Sequence, residues 1–184
     1  MARIPYPKPE DLADNVRSAL AKLPPINILR MLSHAQGNVL PFLSMGGSIL
    51  HSQTLDAKLR ELAILRVAHL TGANYEWVQH APIAKQTGAS DAQIAAIKQG
   101  PEDPAFNDLE KKVLRFTDEV TRNVRVSDST FQDLAALLPA QQLVELVLAA
   151  AFYGLAARVM EVFQLDLEPG AGTYTLETLK PAKI

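Results

Sequence analysis

The chain has 184 residues, 18 of them Lys or Arg and 20 of them Asp or Glu, which gives a formal net charge of -2. This length favours one domain, with a core large enough to be stable without disulfides or a structural metal. The near balance of charge leaves no basic stripe for phosphates, so nucleic acid is disfavoured as a partner. The chain contains no cysteine, which excludes thiol redox chemistry.

The first residues carry prolines at alternating positions, Pro5, Pro7 and Pro9. This pattern favours an extended arm, and the segment lacks the apolar centre of a signal peptide, so we expect a cytoplasmic protein. The most apolar run, residues 146–157, has 12 residues. Because about 20 residues are needed to span a bilayer, this run predicts a buried helix and no membrane partner.

Apolar residues recur along most of the chain with the 3.6-residue period of an α-helix, and no long stretch alternates as a strand would. The sequence therefore predicts an all-α fold, a single-domain multi-helix bundle. The predicted helices cover residues 10–22, 26–35, 39–51, 56–71, 75–87, 92–98, 106–123, 128–138 and 139–163. Two short segments, LREL at 59–62 and LVEL at 143–146, are similar in sequence, which allows a pseudo-twofold arrangement of the helices.

Three segments are expected: an arm with the first helix at 1–25, the main helical domain at 26–168, and an irregular tail at 169–184. Residues 31–55 contain no Asp, Glu, Lys or Arg, which is unusual for a surface in water. Such a stretch is either ordinary core or is buried between subunits.

Three titratable residues are the candidates for catalysis: Glu61, Glu76 and His80. Glu76 and His80 are four positions apart on one predicted helix, so their side chains can meet, and a carboxylate beside an imidazole favours its protonated form. Glu61 has almost entirely apolar neighbours, so its charge needs a partner or its pKa must rise. Either change suits general acid/base catalysis.

Each candidate also has an explanation without function. Glu76 in the first turn favours the helix dipole, Glu61 could pair with an arginine such as Arg158, and His80 could be a hydrogen-bonded core histidine. Two carboxylates and an imidazole suit several divalent ions, but no second histidine stands four positions from His80, so no metal is expected. No glycine-rich phosphate loop or dinucleotide fingerprint is present, so no cofactor is expected.

Three segments together resemble the carboxymuconolactone decarboxylase family, whose superfamily includes alkylhydroperoxidase D. They are LRELAILRVA at 59–68, NYEW at 74–77 followed by His80, and GAS at 88–90. The resemblance covers about residues 40–165, including the later apolar helix around YGLAAR at 153–158. It implies an all-helical domain that assembles into homo-oligomers, commonly trimers or hexamers.

In the peroxidase branch, the resemblance implies a proton-relay glutamate at Glu61 and a relay histidine at His80. The two redox cysteines of that branch would fall at Ala73 and Glu76, and both are missing. Thiol peroxidase activity should therefore not carry over. In the decarboxylase branch, the enzymes resembled act on a carboxylated lactone by cofactor-free proton transfer.

Two hypotheses follow. In the first, Glu61, Glu76 and His80 perform cofactor-free acid/base chemistry on a small carbonyl or lactone substrate, by decarboxylation, isomerisation or lactone chemistry. In the second, the chain is a non-redox binding or scaffold oligomer that lost its cysteines. Three side chains that converge on a cavity favour the enzyme, whereas satisfied and sealed groups favour the scaffold.

Overall fold

The computed structural model describes residues 1–180, and this part of the chain contains nine α-helices and no strand. The helices are α1 Asp14–Leu20, α2 Asn27–Leu32, α3 Gln36–His51, α4 Ala57–Thr71, α5 Asn74–Gln86, α6 Asp91–Ala96, α7 Asp108–Asn123, α8 Asp128–Ala135 and α9 Ala140–Phe163. The all-α prediction is confirmed. The pseudo-twofold arrangement of the helices stays a prediction.

Local capping chemistry explains both ends of α4. The Asp56 side chain accepts a hydrogen bond from the Leu59 backbone N–H at the beginning of α4, and Gly72 ends that helix in the left-handed conformation at φ 71°. Two predicted details are wrong. The first helix is interrupted, because a 3-10 turn at Pro9–Asp11 precedes α1. Helix α5 begins at Asn74, one residue before its predicted range, and Ala73 occupies the cap position without a side-chain hydrogen bond.

Helix α4 lies at the centre of the bundle and packs against α5, α7 and α9. Its apolar side chains point to several sides, as their distribution around the helix predicts. Leu62 and Leu65 join the cluster formed with α6 and α7, whereas Ile64 and Val67 pack against α9. Because α4 is enclosed on all sides, a polar residue in it is removed from water, and Glu61 is such a residue.

Helix α9 is the one helix in residues 1–180 that is long and apolar enough, by length and composition, to cross a membrane. Helix α9 has 24 residues, which is twice the length of the 12-residue apolar run at 146–157. The long core helix of a globular fold has the same properties, and half of the most apolar window of α9 is buried within the bundle. The remaining half is exposed along a stripe of the helix.

The charge-free segment does not form ordinary core along α3. Only Val39 and Ile49 of that helix are buried, while Pro41, Ser44 and Met45 are exposed. The core interpretation of residues 31–55 is therefore wrong for α3, and a surface without charge faces outward from the single chain.

The C-terminal segment beyond α9 forms turns and runs back over α2 and α5. Its anchor is the buried carboxylate of Glu168, which accepts hydrogen bonds from the backbone N–H of Asn27 at 3.0 Å and from the Tyr75 hydroxyl at 2.6 Å. The Gln79 amide donates to the other oxygen of Glu168. The last four residues of the predicted tail, 181–184, lie outside the described residues.

Candidate active site

A carboxylate and an imidazole meet between α4 and α5. Oε2 of Glu61 lies 2.8 Å from Nδ1 of His80, and both side chains are buried. The other oxygen of Glu61 accepts a hydrogen bond from Nε of Arg60 at 3.2 Å. Arg158 is not a partner of Glu61, since its guanidinium donates to the backbone carbonyl of Gly154. The charge of Glu61 is therefore balanced within its own helix and by His80.

This contact decides which nitrogen of His80 is available for chemistry. A carboxylate accepts hydrogen bonds, so Glu61 favours a proton on Nδ1 of the imidazole. In the neutral ring the proton acceptor is then Nε2, and the ring of His80 lines a cavity. A histidine oriented by a carboxylate in this way is suited to act as a general base.

Glu76 lies in the first turn of α5, and the structure does not join it to His80 by the hydrogen bond that their spacing allows. Both carboxyl oxygens of Glu76 are buried and have no hydrogen-bond partner within residues 1–180. Burial, followed by the charges of Glu61 and Glu161, raises the pKa of Glu76 well above its ordinary value of 4.5. A protonated Glu76 is neutral and carries an O–H donor, which makes it a candidate general acid.

The cavity beside these residues has a volume of about 130 Å³ and lies among α2, α3, α5, α9 and the C-terminal segment. Its polar lining consists of Tyr75, Glu76, Gln79, His80 and Tyr153. The rest of the lining is apolar or glycine: Leu23, Ile26, Ile28, Leu29, Phe42, Leu43, Gly46, Gly47, Leu50, Phe152, Ala156, Met160 and Leu179. Within residues 1–180, neither Lys nor Arg lines this cavity.

Of the three predicted site residues, Glu76 and His80 line the cavity. Glu61 does not line it, but its carboxylate is hydrogen-bonded to Nδ1 of His80. The three do not form a group that could hold a metal ion, and the described part of the chain contains no group of three or more His, Asp or Glu that could do so. The arrangement provides one base and one neutral acid on the same cavity.

The sequence interpretation missed Tyr153. Its ring meets the imidazole of His80 edge to face, with centroids 4.6 Å apart, and it lines the cavity. Burial, then the charges of Glu61 and Glu76, raises the pKa of Tyr153 well above 10.0, so its hydroxyl stays protonated. A signal was present, because Tyr153 is the one side chain with a polar group in the apolar run 146–157.

Glu168 was also missed, although it fixes two cavity residues, Tyr75 and Gln79. No sequence pattern identifies it. It lies about ninety positions from its partners in an irregular segment, and helical periodicity carries no information about such contacts.

Residues 41–119 match the sequence model of the carboxymuconolactone decarboxylase family. Several solved structures share the fold. One is the alkylhydroperoxidase AhpD core of an uncharacterized peroxidase-related protein from Ralstonia eutropha, with a TM-score of 0.81 and 16% identity over 93% of this chain and 94% of that chain. No curated protein sequence matches the chain.

Two further structures extend the comparison. An uncharacterized peroxidase-related protein from Silicibacter has a TM-score of 0.74 and 14% identity, over 92% of this chain and 90% of that chain. The debrominase Bmp8, crystallised as a cysteine-to-alanine variant with 2,3,4-tribromopyrrole, has a TM-score of 0.76 and 15% identity, over 94% and 97%. At these identities the structural likeness establishes the fold.

Proposed function

We propose that the protein catalyses cofactor-free proton transfer on a small carbonyl or lactone compound. Residues 41–119 match the model of the carboxymuconolactone decarboxylase family, and a histidine held by a carboxylate lines one cavity together with a buried carboxyl. The observation that carries the proposal is the separation of roles within the site. Glu61 orients His80 to accept a proton. The protonated carboxyl of Glu76 can donate a hydrogen bond, and no group within residues 1–180 accepts it.

In the proposed reaction, Nε2 of His80 takes a proton from the carbon next to the substrate carbonyl. The C–H electron pair moves into the carbonyl group and forms an enolate, and the negative charge of Glu61 stabilises the imidazolium. The O–H group of Glu76 donates a hydrogen bond to the enolate oxygen. In a β,γ-unsaturated substrate the enolate extends over the C=C bond, and return of the proton from His80 to the γ-carbon gives the conjugated isomer and restores the site. Isomerisation of a lactone uses the same enolate stabilisation.

The absence of cysteine separates this proposal from thiol peroxidase chemistry. Ala73 is buried at the beginning of α5 and Glu76 lies one turn into it, at the two positions where the resemblance implies redox cysteines. Neither residue can form a disulfide. The complex of Bmp8 with 2,3,4-tribromopyrrole shows that a protein of this fold accommodates a single ring, which agrees with a ring-sized substrate here.

The experiment is deuterium exchange in D₂O, followed by mass spectrometry, with a panel of small cyclic ketones and lactones. We expect the wild-type protein to catalyse exchange at the carbon next to the carbonyl group. His80→Asn keeps a donor at the position of Nδ1 but removes Nε2, so exchange should fall about 100-fold or more while Tm changes little.

The matched control is His34→Asn, since His34 is an exposed histidine whose Nε2 lies near the Pro5 carbonyl, outside the cavity. It should leave exchange unchanged. Exchange at the same rate in wild type and His80→Asn, or no exchange with any panel member, would count against the proposal and leave a binding or scaffold role.

We also propose that the protein is a homo-oligomer, such as the trimer or hexamer that the family resemblance implies. Two surfaces support this. The charge-free face of α3 is exposed, and α9 exposes side chains at positions 144, 148, 151, 155, 158 and 162. These positions alternate in steps of four and three residues, which is the spacing with which one helix packs along another.

A further inference from the structure

We propose that the cavity selects uncharged, single-ring ligands that carry a hydrogen-bond acceptor, and that it rejects carboxylates. The inference rests on the proposed function, because it concerns the same cavity, and it narrows the substrate class. It departs from the carboxylated lactone that the family resemblance implies.

The first argument is the charge around the cavity. Among residues 1–180, the titratable groups on its lining are Tyr75, Glu76, His80 and Tyr153, and no Lys or Arg of this part of the chain is among them. Lys22, Arg30 and Lys180 adjoin lining residues in sequence, but none of them lines the cavity. Arg60 donates its Nε–H to Glu61, and it does not line the cavity either. An anion placed there would lose its hydration, gain no ammonium or guanidinium partner, and face the buried carboxylate of Glu61 behind His80.

The second argument is the size and polarity of the cavity. A volume of about 130 Å³ is close to that of an engineered apolar cavity of about 150 Å³ that binds benzene. Nine of the eighteen lining residues are leucine, isoleucine or phenylalanine. These dimensions fit one ring with a short substituent, and apolar walls favour a ligand with few polar atoms.

The third argument is Glu76, a residue of the cavity lining whose fully buried carboxyl has no hydrogen-bond partner in the described part of the chain. Buried polar groups are nearly always hydrogen-bonded, so one without a partner in the protein indicates a partner from outside. A protonated carboxyl offers an O–H donor to a ligand. A carbonyl oxygen accepts that hydrogen bond without introducing a charge.

Acetophenone and benzoate form a matched pair of probes, since both carry one ring and an equal number of non-hydrogen atoms, and they differ in charge. Titration calorimetry at pH 7 should show acetophenone binding at least about tenfold more tightly than benzoate. Glu76→Leu replaces the O–H donor with an apolar side chain of similar size, so acetophenone affinity should fall roughly 3- to 10-fold.

Benzoate that binds as tightly as acetophenone, or tighter, would overturn the inference. So would the absence of acetophenone binding at millimolar concentration, or unchanged acetophenone affinity in Glu76→Leu. The readout is binding, so it is separate from the exchange assay. Tight acetophenone binding without deuterium exchange would refute the proposed reaction and leave the ligand selectivity in place.

Discussion

Glu61 and His80 stand 19 positions apart on two different helices, yet Oε2 of the first lies 2.8 Å from Nδ1 of the second. Helix α4 carries Glu61 into the centre of the bundle, and α5 brings His80, which lines the cavity, against it. The pair therefore gives the histidine both a fixed orientation and a buried negative charge.

Glu61→Gln tests that charge. Glutamine keeps the size of the side chain and can still accept a hydrogen bond from Nδ1, but it no longer stabilises an imidazolium. Turnover in the exchange assay should fall about 100-fold. The charge of Glu61 also helps to raise the pKa of Glu76. Without that charge Glu76 ionises at a lower pH, so the loss of activity at high pH should begin earlier.

The control for Glu61→Gln is Glu145→Gln. Glu145 is another buried glutamate in a LxEL segment, but its carboxylate accepts hydrogen bonds from the backbone N–H groups of Thr54 and Leu55 and does not line the cavity. Its replacement should lower stability and leave the pH profile of turnover in place. An identical shift of the profile in both variants would contradict the role assigned to Glu61.

Glu76→Gln should change how stability depends on pH. Burial, then Glu61 and Glu161, raises the native pKa of Glu76 above 4.5, so the native state keeps a proton that the unfolded state has lost. The stabilisation is complete below pH 4.5 and is lost as the pH rises through the native pKa, at up to about 1.4 kcal/mol per pH unit. Urea unfolding at several pH values measures this slope.

In Glu76→Gln the side chain does not titrate, so the free energy of unfolding should vary less with pH and should exceed that of the wild type at alkaline pH. Glu161→Gln removes an exposed carboxylate near the end of α9 and should keep most of the slope. Parallel curves for wild type and Glu76→Gln would mean that Glu76 is ionised in the folded protein.

The helical fold was predictable because it depends on local patterns. The period of apolar residues and the capping residues Asp56 and Gly72 fix α4 to within a residue of its predicted range. The contact between Glu61 and His80 was not predictable from helical spacing, which favoured Glu76 as the partner of His80. Helix packing decides such contacts, and a single sequence carries no direct record of it.

The cavity lining was not fully predictable for the same reason, because helix packing brings some of its residues together. Tyr153 reaches the site because α9 packs on α4, and Glu168 reaches it because the chain turns back after α9. Both contacts join distant parts of the sequence. The composition of residues 31–55 did identify an unusual segment, but composition alone could not distinguish core from an outward face on α3.

Glu168→Gln should release the C-terminal segment from the cavity. The carboxylate accepts hydrogen bonds from Asn27, Tyr75 and Gln79, and an amide can accept at only one of its two positions. One buried hydrogen-bonding group is then left unsatisfied, which should lower stability by about 1–3 kcal/mol. Hydrogen exchange should show faster exchange at the Gly172 amide, which donates to Gln79.

Glu177→Gln is the matched control for this change, since Glu177 is an exposed carboxylate of the same segment. It should leave both stability and exchange close to the wild type. Equal protection of the Gly172 amide in Glu168→Gln and wild type would show that other contacts hold the segment.

Leu155→Glu tests the proposed assembly. Leu155 is 49% exposed in the middle of the α9 stripe, so a second copy of the chain packed there would remove the new carboxylate from water. Wild-type protein should elute with a mass that is a multiple of 20.1 kDa by light scattering, and the variant should shift toward the mass of the single chain.

Leu137→Glu is the matched control, because Leu137 is 48% exposed but lies before α9, outside the stripe. It should keep the wild-type mass. A monomeric wild type, or equal dissociation in the two variants, would refute the stripe as the contact between subunits.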